Sequence, residues 1–363
     1  MAGSNQSLSH SLRRIMNNDA DDEPPTRPSP SHQPSPAPRT PSPAGSASST
    51  STVNSEREDE FFRTVHGRRL NSMNMSYMLP ADKSEIERLE LEHRMIKFVL
   101  GGKNYIGPVA EVLAPRNGER RVLDCGTGSG LWAIEMADEF EGVQVIGADL
   151  APLQPREVPP NCTFELFDLD GQRLPYPDDW FDVVHARSVY MGIRQYQRFL
   201  HEIARVLRPG GVIILAEVDS APMVEGKRPI LPGPRGGAPG WHMFWDTYRR
   251  ALTSRDIDIT IPTRLRTCLR ECAAFENIVA KEALIPIGFW PRDNLTLTIG
   301  QLAWMSHDNF LLALRPMFRS SGLSEAMVKK IIEDAQHDLY EPPVRLSCCW
   351  HILHAQKAAR PRK

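Results

Sequence analysis

The sequence predicts an α/β fold, a Rossmann-like doubly wound sheet. Two observations predict it. Arg121–Gly130 reads as a short buried strand, an acidic residue at 124, and glycines at 126, 128 and 130, with a helically spaced run at Leu131–Ala137 behind it. The glycines allow a tight turn and close approach of a ligand to the backbone. Beyond that unit, short apolar strands alternate with helical segments, the pattern of a parallel sheet covered on both faces. Right-handed crossovers are expected.

The elements follow in order. Residues 1 to about 70 lack periodicity; prolines alternate with serine, threonine and arginine over Pro24–Pro43, and a Ser/Thr tract follows. Such a segment cannot bury enough apolar area to offset backbone ordering, so residues 1–70 are expected to be a disordered Ser/Pro-rich tail. Ser29-Pro30, Ser35-Pro36, Thr40-Pro41 and Ser42-Pro43 have the form of proline-directed phosphorylation sites, though a solvated tail with incidental pairs is the plainer reading. Arg13-Arg14 and Arg68-Arg69 are too short for a nuclear signal. Order is expected from Tyr77, with one domain over 77–357.

Ser84 and Glu87 form an S-x-x-E capping box, and Ile86, Leu89, Met95, Ile96 and Val99 mark a helical stripe ending at Gly101-Gly102. Strands are expected at Val143–Ala148, Thr163–Phe167, Phe181–Ala186 and Val212–Ala216, ending at Asp149, Asp168 and Glu217 where a carboxylate follows. Phe199–Leu207 reads as an amphipathic helix. The Pro/Gly-rich loop 221–240 leaves the carboxyl end of the fifth strand, where long loops are commonly functional lids. Helices are expected at Trp241–Ala251, Thr263–Ala274, Asn294–Phe318 and Ser324–Leu339, and strands at Ile278–Ile287 and Arg345–Ala355. The stripe Trp241, Trp245, Tyr248 is read first as core packing and second as substrate contact.

Composition excludes several functions. The chain has 363 residues, 41% of them hydrophobic, and a net charge of −2, so it can bury a core but carries no basic field for nucleic acid or anionic membrane. No apolar run could span a bilayer and no signal-peptide core is evident, so a cytoplasmic or nuclear location is expected. The six cysteines form no C-x-x-C pair and read as reduced thiols. Cys268 and Cys272 lie four apart, but without further ligands at metal spacing no metal is expected.

The acidic residues define a ligand. In a doubly wound sheet the ligand lies across the carboxyl ends of the strands at the switch point. The spacing D-x-G-x-G-x-G, with Asp124 where a pyrophosphate would want positive potential, argues against a nicotinamide dinucleotide and suits a ligand with a cationic end, such as the amino group of S-adenosylmethionine. Asp149, nineteen residues past Gly130, is placed to accept both hydroxyls of a ribose. Asp168 is placed to accept from an adenine amino group, with Leu150 and Leu169 flanking the base. Singly, Asp149 or Asp168 could equally be a helix cap or turn former.

Arg121–Asp219 resembles the core of class I S-adenosylmethionine-dependent methyltransferases, with Leu174–Asp182 similar to that family's "LPFPDGSFD" connection. The resemblance implies a seven-stranded sheet with an antiparallel last strand, the strands at 278–287 and 345–355 closing it, and residues 291–340 inserted between them. A closer resemblance, over about Tyr77–Gln356, is to the fungal LaeA-like methyltransferases. It is carried by Tyr77–Asp82 with Glu85, Arg88, Leu89 and His93, by Asp149–Pro155, and by Phe181–Arg187. It implies S-adenosylmethionine as cofactor, contacts from Asp124, Gly126, Gly128, Gly130, Asp149 and Asp168, and closure by Tyr77 and Arg88. It also implies either a small-molecule acceptor in fungal secondary metabolism or a nuclear regulator associating with a velvet-type protein. His354–Lys357 departs from the group's "G-R-K-P" ending, which weakens the regulator assignment.

Because a sulfonium methyl is already activated, positioning and desolvation carry most of the rate and a general base is optional. His185, Glu217 and His242 are candidate bases, each with an ordinary structural reading, so no catalytic residue is assigned.

Overall fold

The computed structural model describes residues 60–359 apart from Gln172 and 225–236. The Ser-Pro and Thr-Pro pairs, Arg13-Arg14 and most of the expected lid therefore lie outside the described residues. Structure begins earlier than the sequence suggested. Strands β1 (Phe62–Val65) and β2 (Arg68–Asn71) form an antiparallel hairpin, turned at His66-Gly67. The second half of that hairpin is tied down, since Arg68 donates to both carboxylate oxygens of Asp82 and Leu70 is fully buried. Two four-residue strands with three arginines between them carry too little apolar signal to be read from sequence.

Helix α1 (Lys83–Val99) is capped two residues before the expected Ser84: the Asp82 side chain accepts the Glu85 N–H. Its buried face also departs from the expected stripe. Met95, Ile96 and Val99 are buried as read, but Glu85, Arg88, Glu92 and His93 are buried too, whereas Ile86 and Leu89 are only partly so.

After α2 (Val109–Leu113) comes the core unit: β3 (Arg120–Cys125), α3 (Leu131–Glu139), β4 (Val143–Asp149), β5 (Cys162–Leu166), β6 (Phe181–Arg187), α4 (Tyr196–Val206) and β7 (Leu207–Val218). These five strands are parallel in the order β5-β4-β3-β6-β7. The chain starts mid-sheet at β3, runs outward to β5, then returns to β6, so the switch point lies between β3 and β6. β6 is buried along all but its last residue, as a strand covered on both faces must be.

Beyond the two-residue β8 (Met223–Val224) follow α5 (Pro239–Thr253), α6 (Ile261–Cys272) and β9 (Phe275–Pro286). Strand β10 (Leu346–Lys357) inserts between β7 and β9, antiparallel to both. The sheet is thus the expected seven strands with an antiparallel last strand, extended by β8, which pairs with the start of β10. Between β9 and β10 stand α7 (Asn294–Ala313), α8 (Arg315–Ser320) and α9 (Glu325–Tyr340). The single helix expected over 294–318 is broken at Leu314 because Pro316 cannot continue the hydrogen-bond ladder and is tolerated only in a first turn.

These inserted helices pack onto the domain, α7 along α1 and α9 along α5. The second contact is very close. A Cβ on Gly240, in the first turn of α5, would lie 2.2 Å from the Asp334 carbonyl oxygen of α9. Backbone cannot move aside cheaply, so Gly240→Ala should destabilise the fold by about 1–3 kcal/mol. An unchanged urea midpoint in this variant would show that the helices separate freely.

Candidate active site

A cleft opens over the carboxyl tips of β3, β4 and β6, floored by the glycine turn and walled by α1, α5 and α7. The space within it, open mouth included, is about 1560 Å³. Asp124, Gly126, Gly128, Asp149, Leu150, Asp168 and Leu169 all line it, as does Tyr77. Gly130 does not. It adopts a left-handed conformation (φ 83°) at the start of α3, and a Cβ there would lie 2.6 Å from the Phe164 ring. Its role is the turn into the helix.

The turn is stitched to the neighbouring strand. The N–H groups of Gly126 and Thr127 donate to the Ala148 carbonyl at 2.8 and 3.0 Å, and Gly128 donates to Asp149 Oδ2 at 2.7 Å. Gly128 has φ 57°, and a Cβ on it would meet Leu89 of α1 at 2.9 Å, so side chains are excluded both by conformation and by space. Asp149 Oδ1 accepts from the N–H groups of Leu150 and Ala151 at 2.7 and 3.3 Å. Burial nonetheless pushes its pKa up to about 6, beyond what those backbone bonds recover.

Asp168 Oδ1 accepts from Asp170 N–H at 2.9 Å and from the Asn74 amide at 3.2 Å, so the segment after the hairpin reaches across to this strand tip. Asp124 is more committed than the sequence suggested. It is 2% exposed, with Oδ1 2.7 Å from His185 Nδ1 and Oδ2 accepting from Thr127 Oγ1 at 2.6 Å. His185 lies flat on Trp132, ring centroids 3.9 Å apart, and burial lowers its pKa. Its first task is therefore to hold Asp124, and its presence in the cleft wall is secondary.

The other two base candidates do not line the cleft. Glu217 is fully buried at the tip of β7, where Oε1 accepts from the N–H groups of Val189 and Tyr190 and from Tyr196 Oη. It ties the turn after β6 to the sheet. His242 lies on α5, its Nε2 buried without a hydrogen bond.

On the opposite wall, sequence reasoning named Tyr77 and Arg88 but not the charge network around Arg88. Arg88 donates to Glu85 at 2.7 Å and to Glu92 at 2.8 Å, and Glu92 also accepts from Ser188 Oγ at 3.0 Å. Burial alone would lower the Arg88 pKa, but its two carboxylates outweigh that and raise it. Burial likewise raises Glu85, while Glu92, which burial alone would raise, ends below its ordinary value through Arg88 and Arg187. The signal available was the i, i+3, i+7 spacing of 85, 88 and 92, which places the three on one helix face. His307 and Phe310 of α7 complete the wall, and no motif announced them. Trp241, Trp245 and Tyr248 are buried, as core packing requires, and Trp245 and Tyr248 also line the cleft whereas Trp241 does not. All six cysteines are buried, Cys268 and Cys272 within α6.

Residues 122–211 match the methyltransferase domain family. The chain is 33% identical to the secondary metabolism regulator laeA of Coprinopsis cinerea, over 75% of this chain and 69% of that protein. It belongs to the LaeA-like methyltransferases. Other relatives are the Aspergillus terreus methyltransferase pytC, 30% identical over 65% of this chain and 69% of that one, and the protein-methionine methyltransferase laeA of Emericella nidulans, 27% identical over 85% and 78%. This LaeA-like chain is thus an S-adenosylmethionine-dependent methyltransferase of fungal secondary metabolism. S-adenosylmethionine supplies an electrophilic methyl on a sulfonium centre. The cleft suits such a donor, because Asp149 is a desolvated carboxylate facing it that donors from a diol would stabilise. No helix among the described residues is long and apolar enough to cross a membrane.

Glu217 provides a test of this geometry. Burial raises its pKa to about 8. Between its ordinary value of 4.5 and about 8 the folded chain holds a proton that the unfolded chain releases, so stability falls as pH rises through that window. Glu217→Gln removes this contribution. In urea melts the variant should gain on the wild type as pH climbs from about 5 to about 8, and parallel pH dependences would contradict the burial.

Proposed function

We propose that the glycine turn and the three strand-tip carboxylates bind S-adenosylmethionine, and that the methyl goes to a small-molecule acceptor in the same cleft. In this reading Asp149 accepts from both ribose hydroxyls and Asp168 from the adenine amino group. Leu150 and Leu169 flank the base, and Gly126 and Gly128 let the donor lie against the backbone. Asp124 acts on the amino end while also held by His185 and Thr127, which a carboxylate with about four lone-pair sites can sustain. Gly130 acts only through the turn. Tyr77 and Arg88 close the cleft from the side of α1.

The single observation that carries the reading is Asp149, a carboxylate bonded by three backbone N–H groups yet still raised to about 6 by burial, facing the cleft beside the glycine turn. A small-molecule acceptor is favoured over a protein one because the wall opposite the donor residues is formed by buried aromatic side chains rather than by an exposed patch. The alternative is a nuclear regulator associating with a velvet-type protein; its regulatory part alone draws support from relatives named secondary metabolism regulators. A cytoplasmic or nuclear location is part of the same proposal.

Asp149→Ala should weaken S-adenosylmethionine binding by about 1.5–3 kcal/mol, roughly ten- to a hundredfold. Asp149→Asn, which keeps an acceptor for the turn, separates lost charge from a loosened loop. Calorimetric titration giving wild-type affinity in both variants would remove Asp149 from the site. Binding should also depend on pH. Asp149 is protonated below about 6 and then accepts fewer hydrogen bonds, so affinity should fall as pH drops through that value. A flat titration from pH 8 to pH 5 would argue that the hydroxyls bind elsewhere.

A further inference from the structure

One wall of the cleft is built from side chains with no part in donor binding. Trp245, Tyr248 and Phe310 pack as a box: Trp245 stacks on Phe310 with centroids 5.7 Å apart, and Tyr248 meets Phe310 edge-on at 5.5 Å. One polar atom in this lining, Trp245 Nε1, is buried without a hydrogen bond, whereas Tyr190 Oη has Ser220 and Tyr248 as side-chain partners. A buried donor left unpaired is destabilising unless a ligand satisfies it.

His307 stands beside them, its ring 6.1 Å from that of Trp245. Its Nδ1 lies 2.7 Å from the Ala303 carbonyl oxygen. A carbonyl can only accept, so Nδ1 carries the hydrogen and Nε2 is left with its lone pair. Burial holds the imidazole neutral, with a pKa of about 4. The wall therefore offers one acceptor and one indole N–H donor in close proximity, a pairing that matches a hydroxyl group.

The charges of the cleft exclude the main alternatives. Arg88 is occupied by Glu85 and Glu92, and Arg187 Nη2 lies 3.2 Å from His93 Nδ1. A carboxylate acceptor would find these guanidinium groups engaged, and an ammonium acceptor would find Glu85 and Glu92 already paired.

We propose that this wall is the acceptor subsite and that it takes a neutral aromatic alcohol, a phenol, whose O–H donates to His307 Nε2 and whose oxygen accepts from the Trp245 indole. The inference rests on the methyl-transfer reading above and names its substrate class. In the step, the phenol O–H bond breaks and its proton passes to His307 Nε2. The oxygen's electron pair forms the new O–CH₃ bond. The bond from the methyl to the sulfonium sulfur breaks, its pair stays on sulfur, and a neutral thioether leaves. The imidazolium then returns its proton to solvent.

Calorimetry on the full chain tests this with S-adenosylhomocysteine first, then with 2-naphthol, naphthalene and 2-naphthoate in its presence. The wild type should bind 2-naphthol at least tenfold more tightly than naphthalene or 2-naphthoate. His307→Ala should cost 2-naphthol about tenfold, leave naphthalene and S-adenosylhomocysteine unchanged, and lower methylation of 2-naphthol in step. His307→Gln, which can still accept, should restore part of the loss. Equal affinity for naphthol and naphthalene, preference for naphthoate, or an unaffected His307→Ala variant would each overturn the subsite. Failure of the wild type to bind S-adenosylhomocysteine would instead overturn the donor reading and this inference with it.

Discussion

Everything at the cleft depends on the stitch between the glycine turn and the tip of β4. The turn must leave β3, present its N–H groups toward β4, and enter α3 within a few residues, which L side chains cannot do at positive φ. The Ala148 carbonyl and the Asp149 carboxylate receive those N–H groups, so the floor of the cleft and its acidic rim form one rigid piece. Asp149 thus has a structural share and a ligand share. A buried carboxylate satisfied only by backbone N–H groups stays partly uncompensated, and that imbalance is what makes it receptive to further donors.

The second constraint is the charge buried along α1. Glu85, Arg88 and Glu92 occupy the half of the helix face that meets the cleft, while Met95, Ile96 and Val99 fill the half that meets the apolar core. Buried ions are stabilising only when their hydrogen bonds are satisfied, and here the guanidinium divides its donors between two carboxylates while Glu92 also holds Ser188 at the end of β6. That last bond links the helix to the sheet at the switch point. The inserted helices pack on α1 and α5, so the part of the chain that differs most from a bare nucleotide-binding sheet is also what roofs the site.

Much of this was legible one segment at a time. The parallel core could be read because strands covered on both faces are near-continuous apolar runs, and β6 and β7 are such runs. Helix breaks and caps were read less well: Asp82 rather than Ser84 caps α1, since which oxygen reaches the third N–H depends on where the chain enters, and Arg68 fixes that entry from the hairpin. Of the predicted ligand residues all but Gly130 line the cleft, because each sits within a few residues of a strand's carboxyl end and the sheet brings those ends together. Glu217 and His242, candidates that also had an ordinary structural reading, lie outside the cleft lining for the converse reason, since a polar residue near a strand tip or helix start can turn inward to satisfy backbone groups or be buried on another face.

Residue types and spacing alone determined the sheet, the turn and the carboxylates at its edge, because these follow from local conformation and from a period of two or of 3.6 residues. The acceptor wall was decided only by tertiary structure. Tyr190, Trp245 and His307 lie on a turn and two helices far apart in the chain, and nothing in their own neighbourhoods distinguishes a packed aromatic from one facing a cleft. Their shared cleft follows from α7 docking against α1, a long-range contact that no local pattern encodes.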